Sequence, residues 1–220
     1  MEKVKIILDA DVLIHFSKAG KLSLLPTILP EYDHAILSAV YEETISIRTQ
    51  IDNQMKFLKN MVLLPFEPTG QMRLEYAKLR SKYGKGESAC MAFCRFTHNV
   101  IGSSNLRDIK DYCAAQKITY LTTLDFLYYA FVRGIMTKAE CNDFIRDVNA
   151  NGSKLPVIDI TLYSPNAKIW CLQVAHFTMY SFASTTDVIF MNIWHLFSER
   201  RSQFASPNGF YSVRHHIYSE

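Results

Sequence analysis

A chain of 220 residues that is 49% hydrophobic and 20% charged carries ample apolar material for a folded core and is no disordered polymer. Its formal charge of +3 is too small to mark a nucleic-acid binder by composition, although a pI near 8.5 admits an anionic partner. Cys90, Cys94, Cys113, Cys141 and Cys171 form no CxxC pair, which excludes a zinc-ribbon reading and predicts helix-buried thiols in a reducing compartment.

The opening MEKVKIILDADV turns acidic too soon for a signal peptide, which predicts a cytoplasmic protein. Residues 4–8 read as a strand. Leu22, Leu25, Ile28 and Leu29 then recur at helical spacing over 18–29, closed by Pro30. Residues 35–37 form a short strand, and Ser38 is the expected N-cap of a helix running through Glu43 into the 50s. MVLLPF at 61–66 is a third apolar run. The spacing predicts a helix over 71–82 ending at Gly84, and another from GKGES through ACMAFCRF. Strands at 99–103 and 118–123 flank a helix near 108–116. A helix over 124–133 ends at Gly134, and Thr137 with Glu140 makes a capping box for a last helix to about 149. Alternating strands and helices predict an α/β fold with a doubly wound parallel sheet.

NANGSKLP at 149–156 has linker-like chemistry, which divides the chain into a domain over 1–150 and a C-terminal extension over 151–220. The extension is poor in charge and rich in aromatics. Its uncharged run from Ile169 to Thr186 contains Gln173 and His176, so a packed or partner-covered segment is expected and not a membrane span. Trp170, Phe177, Tyr180, Trp194 and Phe197 are read as core or interface, and His215–His216 as a solvated terminus.

In an open parallel sheet, ligands bind outside the carboxyl ends of the strands. Asp9 ends the first strand, with Asp11 two residues on. Asp108 follows the strand 99–103 through SSNLR, Glu87 opens the helix at GKGES, and Glu43 projects from the helix after the second strand. Carboxylates brought together repel each other and resist desolvation unless a cation compensates them, and Mg²⁺ or Mn²⁺ is the natural partner of oxygen donors. Taken singly, each acid also suits a helix N-terminus without metal. Asp111 and Asp125 are read as surface or cap residues, Asp33, Glu42 and Asp52 as solvated, and His15 and His98 as core-edge or surface residues.

The segments ILDADVLI, LSAVYEETI, GKGESACMAFC and SSNLRDI, in that order, resemble the four motifs of the PIN-domain nucleases. ITYLTTLDFLYYAFVRGIMTKAE resembles the closing strand and helices of PIN-like proteins, so the likeness covers residues 1–150. The resemblance implies a PIN-like fold and metal-dependent cleavage of RNA phosphodiesters, as in the toxins of bacterial toxin–antitoxin pairs. It implies Asp9 as central metal ligand, Glu87 and Asp108 as further ligands, and Glu43 as a ligand or water-orienting acid. Asp11, Ser103 and Asn105 would support them, and Lys85, Arg107 and Lys110 would meet phosphates. RNA, an antitoxin protein and a second copy of the chain are the implied partners. The chain departs from the family pattern in carrying Glu87 where an aspartate is common, Asp11 where asparagine is common, and an extension that minimal PIN toxins lack. Two rivals share the same residues: a PIN-like binding or regulatory module without catalysis, and a structure-specific DNA nuclease.

Overall fold

The computed structural model describes residues 3–166. Five strands, β1 (Lys5–Leu8), β2 (Asp33–Leu37), β3 (Val62–Leu64), β4 (Val100–Gly102) and β5 (Tyr120–Leu121), form one sheet in the order β3-β2-β1-β4-β5. Every pairing is parallel, with Ile7 opposite Ala35 on one side and Ile101 on the other. Ile6, Ile7, Leu8, Ile36, Leu37, Ile101 and Leu121 are fully buried, the composition expected where helices cover both faces of a parallel sheet. The chain adds strands on one side of β1 and then crosses back to add β4 on the other. The order therefore reverses between β1 and β4, and outside their carboxyl ends is where sheets of this kind form a ligand crevice.

Nine α-helices flank the sheet among the described residues: α1 (Ala10–Lys18), α2 (Leu25–Ile28), α3 (Ser38–Glu43), α4 (Arg48–Asn53), α5 (Gly70–Arg80), α6 (Lys85–Thr97), α7 (Leu106–Gln116), α8 (Thr123–Val132) and α9 (Lys138–Ala150). Among them, α1 and α8 pack against α9 and α2 against α8; α5 and α7 pack against α6, and α3 touches both α6 and α1. Phe16 of α1 fixes the packing of α1, α8 and α9. Its ring meets Phe126 edge-on at 6.0 Å and Phe144 at 4.8 Å, so one buried side chain joins three helices. Cys90, Cys94, Cys113 and Cys141 are free and buried, as the sequence predicts; Cys171 lies outside the described residues.

Two helical expectations need correction. The helix expected over 18–29 shrinks to α2, because Gly20 turns the chain at φ +66° and Pro26 sits at a helix start. Leu22, Leu25, Ile28 and Leu29 are nonetheless all buried. The main helix of that region, α1, begins immediately after Asp9 and buries Val12, Leu13 and Phe16. The helix expected from Ser38 into the 50s is instead α3, a 3-10 turn over Ile45–Ile47, α4, and a π turn over Gln54–Leu58 closed by Lys59 at φ 52°. Ser38 caps nothing. Its hydroxyl accepts the Phe66 N–H at 3.0 Å and ties the chain after β3 to α3.

The stretch after α9 stays on the body of the domain. Asn149 clasps Leu155 with two hydrogen bonds, of 3.0 and 2.7 Å, and Leu155 and Ile160 enter the core. No helix among the described residues is long and apolar enough to cross a membrane. The run Ile169–Thr186, the aromatics from Trp170 onward and His215–His216 lie outside the described residues.

Candidate functional site

The residues after β1 and β4 meet at this edge of the sheet. Asp9 is the N-cap of α1: its carboxylate accepts the Ala10 N–H at 2.8 Å, while its own N–H donates to the Gly102 carbonyl at 2.8 Å. Gly102 lets the strands sit close at that crossing, since a Cβ there would stand 3.0 Å from the Leu8 side chain and 3.3 Å from that of Ile6, each of which would have to give way. The fully buried Ser103 hydroxyl lies 3.1 Å from Asp9 Oδ2 and 3.2 Å from Asp11 Oδ2, one proton shared between two acids. Asp11 also accepts the backbone N–H groups of Val12 and Ser104, each at 2.6 Å. It acts as the clamp that holds the loop after β4 against the start of α1.

Asn105, at the N-cap of α7, supplies the second connection. Its side-chain amide donates to Glu87 Oε1 at 2.9 Å and to Asp108 Oδ2 at 2.8 Å. Glu87 lies in the first turn of α6 and Asp108 in the first turn of α7, so one amide joins two helix N-termini and their acids. Among the described residues, no three Asp, Glu, His or Cys side chains already stand at the spacing of a single ion.

Burial dominates the electrostatics. It pushes Asp9, only 6% exposed, up to about 8, with Asp11 and Glu87 adding repulsion. Asp11 is raised as well, by burial against the pull of the Ser104 and Val12 amides. Glu87 is pushed up to about 7, by burial first and then by Asp108 and Asp11. Cys90, buried beneath these acids, has its thiol held well above its ordinary range.

The remaining expected residues lie around this core. Glu43 is exposed, and its carboxylate accepts the Gly86 N–H at 3.1 Å, which places it at the start of α6 one residue before Glu87. Lys85 is paired with Glu42, and Arg107 reaches Asp108 at 3.3 Å; Lys110 is exposed.

Two groups of polar residues escaped the sequence reading. Ser104 Oγ donates to Thr123 Oγ1 at 2.8 Å and accepts the Thr123 N–H at 2.8 Å. The Thr123 hydroxyl in turn lies 2.9 Å from His15 Nδ1, which extends the chain to α1. Burial lowers His15 to about 4, assisted by Lys18. The second group surrounds Asp125, which is a cap but no surface residue. It is fully buried and accepts from Thr122 N–H and hydroxyl, Tyr163 hydroxyl, and Asn166 N–H and amide, at 2.7 to 3.1 Å. The available signal was position: Thr122 and Thr123 follow β5, at the same carboxyl edge as Asp9. No protein-family model matches this sequence, and no curated protein matches it significantly.

Proposed function

We propose that this sheet edge is the site of a Mg²⁺- or Mn²⁺-dependent endoribonuclease of the PIN-like kind, with Asp9, Glu87 and Asp108 as the metal-holding acids. The observation that carries the reading is the pairing of geometry with cost. Asp9 and Glu87 come from separate elements to one sheet edge at the order reversal, where burial raises both toward neutrality. The donor set fits a hard divalent cation, because it consists of oxygens whose mutual repulsion and desolvation such an ion relieves.

When bound, such a cation supplies Lewis acidity toward water and the scissile phosphate. The chain's own groups do the rest. Asp9 is fixed by the Ala10 N–H and Ser103, and the Asn105 amide orients Glu87 and Asp108, whose other carboxylate oxygens would hold the ion. Asp11 keeps the loop after β4 in register, and Glu43 stands at the rim beside Gly86. Release of Arg107 from Asp108, and of Lys85 from Glu42, frees both cations for phosphate oxygens.

One observation favours a second reading, a catalytically silent binding module: Asp11, Glu87 and Asp108 already have internal hydrogen-bond partners. The test is incubation of the full chain and Asp9→Asn with RNA and single-stranded DNA, in Mn²⁺ or EDTA. RNA cleavage that needs Mn²⁺ and Asp9 is expected. Preferential cleavage of DNA would move the site to the deoxyribonuclease reading, and neither cleavage nor Mn²⁺ binding would leave the binding module.

A further inference from the structure

Exposed cations with no ion pair among the described residues occur singly at Lys59, Lys110, Lys117 and Lys154, and four more fall close together in the chain. Lys56, Arg95, Lys138 and Arg146 are committed to nearby carboxylates. Arg73, Lys78, Arg80 and Lys82 are exposed and form no ion pair among the described residues. All four belong to α5 or to the turn that follows it. Glu75, the one acid of α5, is turned inward to Arg95 at 2.7 Å and Tyr112 at 3.0 Å, so it does not neutralise the outer side. Cations in a last helical turn favour the helix dipole, which accounts for Lys78 and Arg80. It does not account for Arg73, two turns earlier, or for Lys82 beyond the helix.

Their position explains them better. The turn over residues 81–84 joins α5 to α6 as a helical hairpin, so the C-terminal end of α5 lies beside the N-terminal end of α6. That is where Gly86 meets Glu43 and Glu87 meets Asn105. At a rise of 1.5 Å per residue, Arg73 stands roughly 10 Å farther along α5 than Arg80. A cleft of carboxylates repels a polyanion, so the attraction that brings one to it must come from outside the cleft.

We infer that the outer side of α5 and the turn after it, through Arg73, Lys78, Arg80 and Lys82, carries the phosphodiester backbone of single-stranded RNA toward the acids. The identity of the polymer rests on the nuclease reading; the surface itself rests on the charge arrangement. Contacts of this kind grip phosphates and read no sequence.

The test is the variant R73Q/K78Q/K82Q, made in the full chain with Asp9→Asn to prevent cleavage. Arg80 is left in place because its guanidinium donates to the Tyr83 carbonyl at 2.6 Å. Binding of a short fluorescent single-stranded RNA is followed by anisotropy in EDTA across a salt series. The slope of log affinity against log salt should become shallower by roughly 2, with affinity lower by roughly 50-fold at about 0.15 M salt. The control K59Q/K117Q/K154Q removes the same charge elsewhere and should bind nearly as the parent does. An unchanged slope, an equal loss in the control, or no RNA binding by the parent at low salt overturns the inference. So does displacement of RNA by polyglutamate at equal charge, which would assign the face to an acidic protein. Cleavage is read separately with Asp9 intact. Metal-dependent cleavage alongside unchanged RNA affinity in the triple variant would keep the nuclease and remove this surface. A lost slope in a chain that cleaves nothing would do the reverse.

Discussion

Asp9→Asn tests whether the first acid is held in the fold against its own preference. The substitution is nearly isosteric. Asparagine keeps an oxygen for the Ala10 N–H, now at 2.8 Å, and offers an N–H to Ser103 Oγ, which is then free to donate to Asp11. What it removes is a titration. The folded carboxyl is raised from 3.8 to about 8, chiefly by burial and then by Asp11 and Glu87, whereas in the unfolded chain it ionises near 3.8. Between those values the folded protein holds a proton that the unfolded chain lacks, so stability falls as pH rises, by about 1.4 kcal/mol per unit. Over the whole window the ceiling is roughly 6 kcal/mol. Because Asp11 and Glu87 share the repulsion, about 3 kcal/mol is assigned to Asp9 itself. In EDTA, denaturant unfolding from acid to mildly alkaline pH should give nearly equal stabilities for wild type and Asp9→Asn near pH 4. The variant should then lead progressively, by about 3 kcal/mol near pH 8. Saturating Mn²⁺ should stabilise the wild type and leave the variant unmoved. A difference that does not vary with pH, or a wild type that gains on the variant as pH rises, would refute the argument.

Two further substitutions probe the surroundings. Asp125→Ala removes a fully buried acceptor of five hydrogen bonds and should cost about 3 kcal/mol in denaturant unfolding. Limited proteolysis should then cut within 155–166, and a loss below about 1 kcal/mol would show that the anchor is dispensable. At Gly86, a Cβ would stand 2.5 Å from Glu43 Oε2 and 3.1 Å from Val40, so Gly86→Ala must drive the carboxylate off the Gly86 N–H. A double-mutant cycle with Glu43→Ala should return a coupling of about 0.5–1 kcal/mol, and additivity would show that the contact is not formed in solution.

The strand positions were legible because each is a short apolar run bounded by a turn or cap, and α9 was legible through its capping box, where Thr137 and Glu140 exchange the expected bonds. The start of α1 was hidden by a double use. Asp9 reads as the end of a strand, yet the same residue is the N-cap of the next helix, so no loop separates the two elements. The region after Ser38 misled for the opposite reason: a continuous helical pattern is divided by 3-10 and π turns that the spacing of its apolar residues does not announce. At the site, carboxylates announce themselves by charge at strand ends. The Ser104–Thr123–His15 chain and the Asp125 anchor do not, because Ser, Thr and Asp beside a turn look like ordinary turn residues until the partners across the fold are known.

Three of the acids at this edge have a local reason to be there, since each meets a backbone N–H at a helix start: Asp9 that of Ala10, Asp11 that of Val12, and Glu43 that of Gly86. Capping alone, however, leaves a different electrostatic mark. Glu140 caps α9 on the surface, and the Thr137 amide and hydroxyl pull it below its ordinary value. Asp159, bonded to Lys138 and Thr161, is pulled down to about 2. Asp9 and Glu87 move the other way, because burial and neighbouring acids outweigh the hydrogen bonds they accept. A helix N-terminus needs only a nearby oxygen, which an exposed acid, a serine or an asparagine supplies without desolvation. Burial of two acids on adjoining elements, at the one edge where the strand order reverses, therefore costs stability that capping does not explain. A divalent cation drawn to that edge would offset the cost, and this is the physical ground on which the proposed metal site rests.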